Sequence, residues 1–274
     1  MFTELVPGVF AFGSRFVEAK YGVLLGARRS LLVDIPFFED EARAMGEFVT
    51  SKGAVPNRVQ FTHGHGDHVL GAGVFDDAEV FAGTLTVEVM RYHLGRWTPK
   101  GDGSSANPMA RALWPTVLAD AGITHDLGGL HARVFSAPGH SPDGQSILVE
   151  EHGILFAGDT ATTGIVPAIE WGDSRVLEQS QRTLAGMDVD ILVPGHGEIV
   201  RGREAVREWL VWMADYLAVT REAVQDGLIR GESREEIELR ASYAHCVGAR
   251  FEPSRNGMTR RHANTITAIL KELT

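Results

Sequence analysis

Short runs of alternating apolar and polar residues dominate the first 200 positions of the chain. Residues 2–12 alternate in this way around a Pro-Gly turn signal, and residues 21–25 and 30–35 are two strand-like runs joined by a short turn that contains glycine. A period of two residues is typical of β-strands, and such turns join consecutive strands. The pattern therefore predicts two β-hairpins at the start of the chain.

Helical spacing alternates with further strand-like runs up to residue 200. Apolar residues three or four positions apart predict helices over residues 39–51, 84–94, 109–119 and 174–185, and apolar runs predict strands over residues 58–62, 80–82, 133–137, 146–150, 154–157 and 189–193. Strands with a covering helix thus occur in both halves of this region. The expected fold is α/β (α+β): two similar sheets packed face to face with helices outside, a four-layer αββα sandwich.

The pattern becomes helical throughout after residue 202. Residues 204–225 predict one long helix with an apolar face, and residues 233–240 and 260–273 predict two shorter helices. No linker-like composition separates this part from the rest of the chain. We therefore predict a main αββα domain over residues 1–202 and an α-helical extension over residues 203–274 that packs on it.

The amino-acid composition and the net charge limit which partners the protein could bind and where in the cell it is expected. The 274 residues are 44% hydrophobic and 23% charged, and the formal net charge of −10 disfavours nucleic acid, whose binding depends on Lys and Arg. Cys246 is the one cysteine, so no intramolecular disulfide is possible. No apolar segment is close in length to the roughly 18 residues that a membrane-spanning helix needs. We also find no signal-peptide pattern. We expect a cytoplasmic protein with a small-molecule substrate, no nucleic-acid or membrane partner, and a homodimer as the commonest assembly of such chains.

The most unusual stretch is Thr-His-Gly-His-Gly-Asp-His at residues 62–68, directly after a predicted strand. Imidazoles and a carboxylate this close together would repel one another or stay unsatisfied in a core unless a cation collected them. Neutral imidazole and carboxylate are natural metal ligands. The stretch therefore predicts a metal site that includes His63, His65, Asp67 and His68.

Three more candidate ligands lie elsewhere in the chain. His140, Asp159 and His196 each follow an apolar strand in a loop with glycine beside them, and glycine permits the sharp turn that aims a side chain inward. Each alone is more typical of a turn, but their recurrence at strand ends favours metal binding. The remaining histidines lack ligand spacing and are predicted to lie on the surface or in packed positions: His93, His125, His131, His152, His245 and His262.

Together these motifs resemble those of the metallo-beta-lactamase superfamily, and within it the glyoxalase II-like hydrolases. The resemblance covers about residues 1–200 and rests on the 63–68 motif and on the Pro-Gly-His, Gly-Asp-Thr and Pro-Gly-His-Gly motifs at residues 138, 158 and 194. It implies two divalent metal ions, with zinc expected and iron or manganese suited to the same ligands. By this resemblance one metal is held by His63, His65 and His140, the other by Asp67, His68 and His196, and Asp159 bridges the two.

The resemblance also implies the reaction. It points to a dinuclear metal-dependent hydrolase that cleaves an ester, thioester or lactone by attack of a metal-bridging hydroxide. Asp67 is the ligand placed to hold the hydroxide or relay its proton, which makes it the expected catalytic residue. The carboxylate at Asp159 disfavours lactam hydrolysis, and the acidic balance disfavours phosphodiesters.

Three other functions stay open at this point. The first is a mononuclear iron oxidoreductase of the persulfide-dioxygenase kind, which shares most of the motifs. The second is a pathway thioesterase or cyclase that releases a carrier-bound acyl or polyketide chain. The third, a binding protein without activity, would have no need of all seven ligating groups.

Two tryptophans are the expected substrate-binding residues. Trp97 lies in the loop-like stretch 95–108, which is either a lid or a surface loop, and Trp171 lies in a second loop beside the predicted metal face. Ligand pockets favour aromatic side chains, and long irregular loops often serve function. The basic residues near the C-terminus are predicted to be solvated instead: Arg250, Arg255, Arg260 and Arg261. The resemblance leaves one alternative open for them, because glyoxalase II-like enzymes can use basic residues of their terminal helices to hold an anionic thiol carrier.

Overall fold

A computed structural model of the chain describes residues 2–96, 111–120, 122–169, 171–253 and 257–274. Within these residues, a first sheet contains seven strands that follow chain order: β1 (Phe2–Val6), β2 (Val9–Gly13), β3 (Lys20–Leu25), β4 (Ser30–Val33), β5 (Arg58–Gln60), β6 (Glu79–Ala82) and β7 (Val117–Leu118). Strands β1 to β4 pair antiparallel, and β4 to β7 pair parallel. The two predicted N-terminal hairpins are confirmed.

A second sheet lies over the first. Its strands are β8 (Thr124–Asp126), β9 (His131–Ser136), β10 (Gln145–Val149), β11 (Ile154–Phe156), β12 (Ile191–Val193) and β13 (Val200–Arg201). Their spatial order is β13-β12-β11-β10-β9-β8, with a parallel pair formed by β11 and β12. Parallel pairing places the carboxyl ends of neighbouring strands at one edge of a sheet. The loops that leave β11 and β12 therefore start side by side.

Helices cover the outer faces of both sheets. They are α1 (Glu39–Ser51), α2 (Gly66–Val69), α3 (Thr86–Gly95), α4 (Ser174–Ala185), α5 (Arg203–Ile229), α6 (Arg234–Arg240), α7 (Tyr243–Cys246) and α8 (Met258–Leu273). The apolar face of α1 packs on the first sheet, and α4 and α5 pack on the second. None of the helices in the described ranges combines the length and the apolar character needed to cross a membrane.

The interior between the sheets is apolar, as an αββα sandwich requires. Leu24 of the first sheet belongs to the same buried cluster as Ile147 and Phe156 of the second. Its neighbour Val23 points the other way and packs in a separate cluster with Met45 of α1. Each such side chain stabilises the fold by about 1.5–3 kcal/mol when fully buried. The four-layer prediction is confirmed.

The long helix α5 connects the sandwich to the terminal helices. Its first half packs against the second sheet through residues such as Leu210, and its second half packs with α6 and α8 through residues such as Leu217. Helix α6 begins with the predicted capping box, in which Ser233 and Glu236 each bond the other's backbone N–H. The division of the chain at residue 202 remains a prediction, because α5 belongs to both hydrophobic clusters.

The helix predicted over residues 109–119 is wrong over its described part. Residues 112–116 are not helical, and Val117–Leu118 forms the edge strand β7. Pro115 explains the difference, because it has no backbone N–H to donate and disfavours helical geometry in the residue before it. Trp97 and most of the predicted loop at 95–108 lie outside the described residues.

Candidate metal centre

Strand ends deliver all the predicted metal ligands to one place. The loop after β5 carries His63 and His65, and the short helix α2 that follows carries the next two ligands. The loops after β9, β11 and β12 carry the other three. The structure thus brings together His63, His65, Asp67, His68, His140, Asp159 and His196.

The ligating atoms fall into two groups. One consists of His63, His65, His140 and Asp159, and the other of Asp67, His68 and His196; within each group the atoms lie within 4.8 Å of one another. Six of the seven residues are buried, and Asp67 is partly exposed. The resemblance assigns the histidines and Asp67 to the same two groups, and the structure adds Asp159 to the first of them.

The carboxylate of Asp159 lies between the two groups. Its Oδ2 is 3.3 Å from Nε2 of His140 in the first group. Its Oδ1 is 3.5 Å from Nε2 of His68 and 3.5 Å from Nε2 of His196, both in the second group. One oxygen faces each group, which is the geometry of a bridging ligand.

Backbone carbonyls fix the outer nitrogens of two ligand imidazoles. The Nδ1 of His140 lies 2.9 Å from the carbonyl oxygen of Ala168, and the Nδ1 of His196 lies 2.9 Å from that of Val17. A carbonyl only accepts hydrogen bonds, so each Nδ1 carries the proton. In the neutral rings Nε2 is therefore free of a proton and faces the centre, as a metal ligand must.

Asp34 contacts His68 of the second group directly and His63 of the first group through Thr62. The sequence motifs did not reveal this role. Asp34 accepts hydrogen bonds from Nδ1 of His68 at 2.8 Å and from Oγ1 of Thr62 at 2.7 Å. The same Thr62 oxygen is 3.0 Å from Nδ1 of His63. Asp34 adopts φ +58°, a left-handed conformation that is uncommon outside glycine. The available signal was an acidic residue at the end of the apolar strand β4, which pairs with β5.

Close approach explains two of the glycines beside the ligands. A Cβ on Gly195 would lie 1.9 Å from Oδ1 of Asp159, and a Cβ on Gly158 would lie 2.6 Å from Oγ1 of Thr62. Gly158 also has φ +53°, where a side chain is strained. Glycine at these positions is therefore required for the loops to meet.

Unpaired buried atoms show that the residues fit a cation. Nε2 of His63, Nε2 of His68 and Oδ1 of Asp159 are buried without a hydrogen-bond partner in the described part of the chain. A buried polar group left unpaired costs about 1–3 kcal/mol. Imidazole nitrogens and carboxylate oxygens are ligands of zinc and similar divalent ions, which would satisfy all three atoms.

The electrostatics of the site favour the same conclusion. Burial and neighbouring imidazoles lower the pKa of His63 and of His65 well below the usual value, so both rings are neutral at neutral pH, the form that a metal ion binds. Burial opposes ionisation of Asp159, but His196 and His140 outweigh it and hold the pKa of that carboxyl well below its usual range. Burial also lowers the pKa of His196, but Asp159 and Asp67 outweigh it and raise that pKa to about 10. A proton on His196 thus occupies the place that a metal ion would take.

A cavity of about 300 Å³ opens onto the ligands. Its walls include the apolar Phe16, Val17 and Ile165, together with Arg261 and His93. Arg261 was predicted to be solvated and instead lines this cavity. Arg250 lies over the rings of Trp209 and Trp212, at 4.7 and 4.8 Å from their centroids.

Trp171 lies beside this cavity rather than in it. It lines a neighbouring groove of about 770 Å³ between α3 and α8, where its ring stacks on Tyr92 with centroids 4.6 Å apart. Its role in substrate binding remains a prediction. Trp97, the other predicted substrate-binding residue, lies outside the described residues.

The histidines outside the motifs divide into two kinds. His125 and His262 are buried in hydrogen-bonded positions away from the ligands, in agreement with the prediction for such residues. His93 differs, because its Nε2 lies 3.0 Å from Nε2 of His65. Sequence spacing gave no signal for this contact, since His93 lies on α3, 28 residues away.

Comparison with known proteins gives the family. The model of the metallo-beta-lactamase superfamily matches residues 30–196. The chain belongs to the metallo-beta-lactamase superfamily. This match confirms the resemblance and the prediction of an enzyme of this superfamily. The fold agrees: a metallo-beta-lactamase family protein from Thermus thermophilus superposes with a TM-score of 0.68 at 20% identity, covering 98% of this chain and 95% of its own.

Sequence similarity also links the chain to proteins with named activities. It is 26% identical over 219 residues to the acyl-coenzyme A thioesterase MBLAC2 of Gallus gallus, covering 70% of this chain and 78% of that one. It is 29% identical over 185 residues to a hydroxyacylglutathione hydrolase of Anaeromyxobacter dehalogenans, covering 66% and 63%. The chain spans less than half the length of several other curated relatives that it matches.

Replacing Asp34 by asparagine tests its part in the centre. The amide keeps the size and tolerates the left-handed backbone. In the native protein Oδ2 accepts from both Oγ1 of Thr62 and Nδ1 of His68, and Oδ1 accepts from the backbone N–H of Thr62. An amide has only one oxygen, so its NH2 group would face at least one of these donors. We expect metal affinity to fall about 10–100-fold, the usual effect of removing such an outer partner. Competition with a chromophoric chelator measures this metal affinity.

Asp126→Asn is the matched control. Asp126, the last residue of β8, forms an exposed ion pair with Arg28. Arg28 lies in the turn between β3 and β4, at the opposite end of β4 from Asp34. Native affinity in Asp34→Asn, or an equal loss in both variants, would contradict the assignment.

Proposed function

We propose that the protein is a dinuclear metal-dependent hydrolase that cleaves an ester, thioester or lactone, with a thioester as the preferred substrate. The observation that carries the proposal is the position of Asp159. Its two oxygens face different ligand groups, and this supports a site for two ions.

The chemistry divides between the ions and the chain. Two divalent ions held by the seven ligands would supply a nucleophilic water at neutral pH and would polarise the carbonyl under attack. The chain supplies Asp67, whose Oδ2 lies 3.2 Å from Nε2 of His196 and whose side chain lines the cavity and is 18% exposed. Asp67 therefore orients the attacking water and accepts its proton.

The shape of the cavity supports an acyl substrate. About 300 Å³ beside the ligands, with apolar walls at Phe16 and Ile165, suits an acyl group better than a polymer. Arg261 on the same wall supplies a positive charge for an anionic substrate group. The larger groove at Trp171 then receives the leaving portion of the substrate.

The groove has features that suit a large leaving group. Tyr92 and Trp171 present a stacked aromatic pair, and Arg96 and Lys271 add two cationic side chains to its walls. Such a surface suits the carrier portion of a thioester, because a carrier offers planar and anionic groups. The names of the two relatives, an acyl-coenzyme A thioesterase and a hydroxyacylglutathione hydrolase, support the same substrate class. A pathway thioesterase or cyclase acting on a carrier-bound chain is a variant of this chemistry.

The mononuclear iron alternative has less support. A single ion would need only the first group, which already offers three imidazoles and a carboxylate. It would leave Asp67, His68 and His196 gathered within 4.8 Å without a function. Oδ1 of Asp159 would also stay buried without a partner.

A substrate panel tests the reaction. With zinc supplied, we expect turnover of acyl-coenzyme A thioesters, weaker turnover of lactones and none of phosphodiesters. We expect Asp67→Asn to lower kcat about 10²–10⁴-fold, the usual contribution of a positioned acid or base. Steady-state kinetics at saturating metal measures both. Failure to hydrolyse any ester, thioester or lactone with metal bound would refute the proposal.

Trp171→Ala tests the groove separately. We expect it to raise KM for a coenzyme A thioester about tenfold, because one stacking contact contributes about 1–3 kcal/mol. A short N-acetylcysteamine thioester of the same acyl group does not reach the groove and should keep its native KM. Ile229→Ala, a change at an exposed position at the end of α5, is the control. An equal change for both substrates would count against carrier binding in the groove.

A further inference from the structure

A second imidazole contacts the ligand His65 from outside the metal centre. His93 lies on α3, and its Nε2 is 3.0 Å from Nε2 of His65. The two ring centroids are 4.1 Å apart and the ring planes meet at 68°. The contact is therefore made through ring nitrogens, with the rings edge to face.

The contact made by the other ring nitrogen of His65, Nδ1, determines where its proton lies. Its Nδ1 is 2.9 Å from Nε2 of His140, inside the ligand group, so Nδ1 is the nitrogen that faces the centre. A neutral ring that ligates through Nδ1 carries its proton on Nε2. That N–H points at His93, whose Nε2 must then accept the hydrogen bond.

This arrangement sets His65 apart from the other ligand histidines. Backbone carbonyls hold the outer nitrogens of His140 and His196, and the network of Asp34 and Thr62 holds those of the other two. Among the five ligand histidines, His65 is the one whose outer nitrogen contacts another imidazole. Without that acceptor the Nε2–H of the buried His65 would lose its partner.

A metal ion between His65 and His93 is the competing explanation. Their nitrogens are about as far apart as those of His65 and His140, which ligate in the same group. However, no group of three or more ligating side chains in the described ranges contains His93. Two imidazoles without a third ligand favour a hydrogen bond over a metal site.

We propose that His93 is a positioning residue for the first metal site, which it serves by accepting the Nε2–H of His65. The acceptor selects the tautomer of His65 that ligates through Nδ1 and fixes the orientation of its ring. The rings of Tyr92 and Trp171 lie near the His93 ring, with centroids at 5.1 and 6.4 Å. The inference rests on the proposed metal centre but not on the identity of the substrate.

Stepwise binding of Co²⁺ to the metal-free protein, followed by visible absorption, tests the proposal. We expect His93→Phe, which keeps a ring but removes the acceptor, to weaken one of the two binding steps about 10–100-fold and to leave the other near native. His93→Gln, whose side-chain oxygen can accept, should restore most of the lost affinity. His245→Phe, at an exposed position on α7, should bind as the native protein does.

A second measurement uses the native protein and therefore tests the proposal even if His93→Phe folds poorly. In the zinc-loaded native protein, ¹⁵N-detected spectra should show His65 protonated at Nε2 and His93 unprotonated at Nε2. The opposite tautomers would overturn the proposal, as would native affinity in His93→Phe, an equal loss at both steps, or failure of His93→Gln to restore binding. Because metal binding is measured without substrate, these outcomes are separate from any failure of the thioester assay.

Discussion

Two carboxylates and five imidazoles share one buried volume, and this concentration of polar atoms is the constraint on which the structure depends. Such a cluster is stable only if every nitrogen and oxygen has a partner. The chain provides partners for the outer atoms: Asp34 and Thr62 for two imidazoles, and backbone carbonyls for two more. The inner atoms, including the unpaired Oδ1 of Asp159, are left to cations.

The fold follows from the need to gather loops from two sheets. A sandwich of two sheets lets β5 of the first and β11 and β12 of the second end at the same place. The ligands therefore sit on loops anchored by short buried strands. The glycines at 158 and 195 let two of these loops approach within atomic contact.

Much of this arrangement was predictable from sequence. Strands and helices followed from period-two and period-3.6 patterns, and the seven ligands followed from histidines and aspartates at strand ends. These signals lie within short stretches of residues, so they can be read from the sequence alone. The edge strand β7 was missed because the apolar residues around it have helical spacing, and this spacing outweighed the signal of Pro115 against a helix.

The outer partners of the ligands were not predictable. Asp34 lies 28 residues from Thr62, and His93 lies 28 residues from His65. No motif spacing connects them, because strand pairing and helix packing create these contacts. Arg261 reaches the cavity for the same reason, through the placement of α8.

The metal content of the protein, purified without added metal and measured by elemental analysis, tests the central claim most directly. Two divalent ions per chain, with zinc the expected element, are the predicted result. A chain that retains its fold and holds one iron, or that holds no metal even after addition of zinc, would contradict the account.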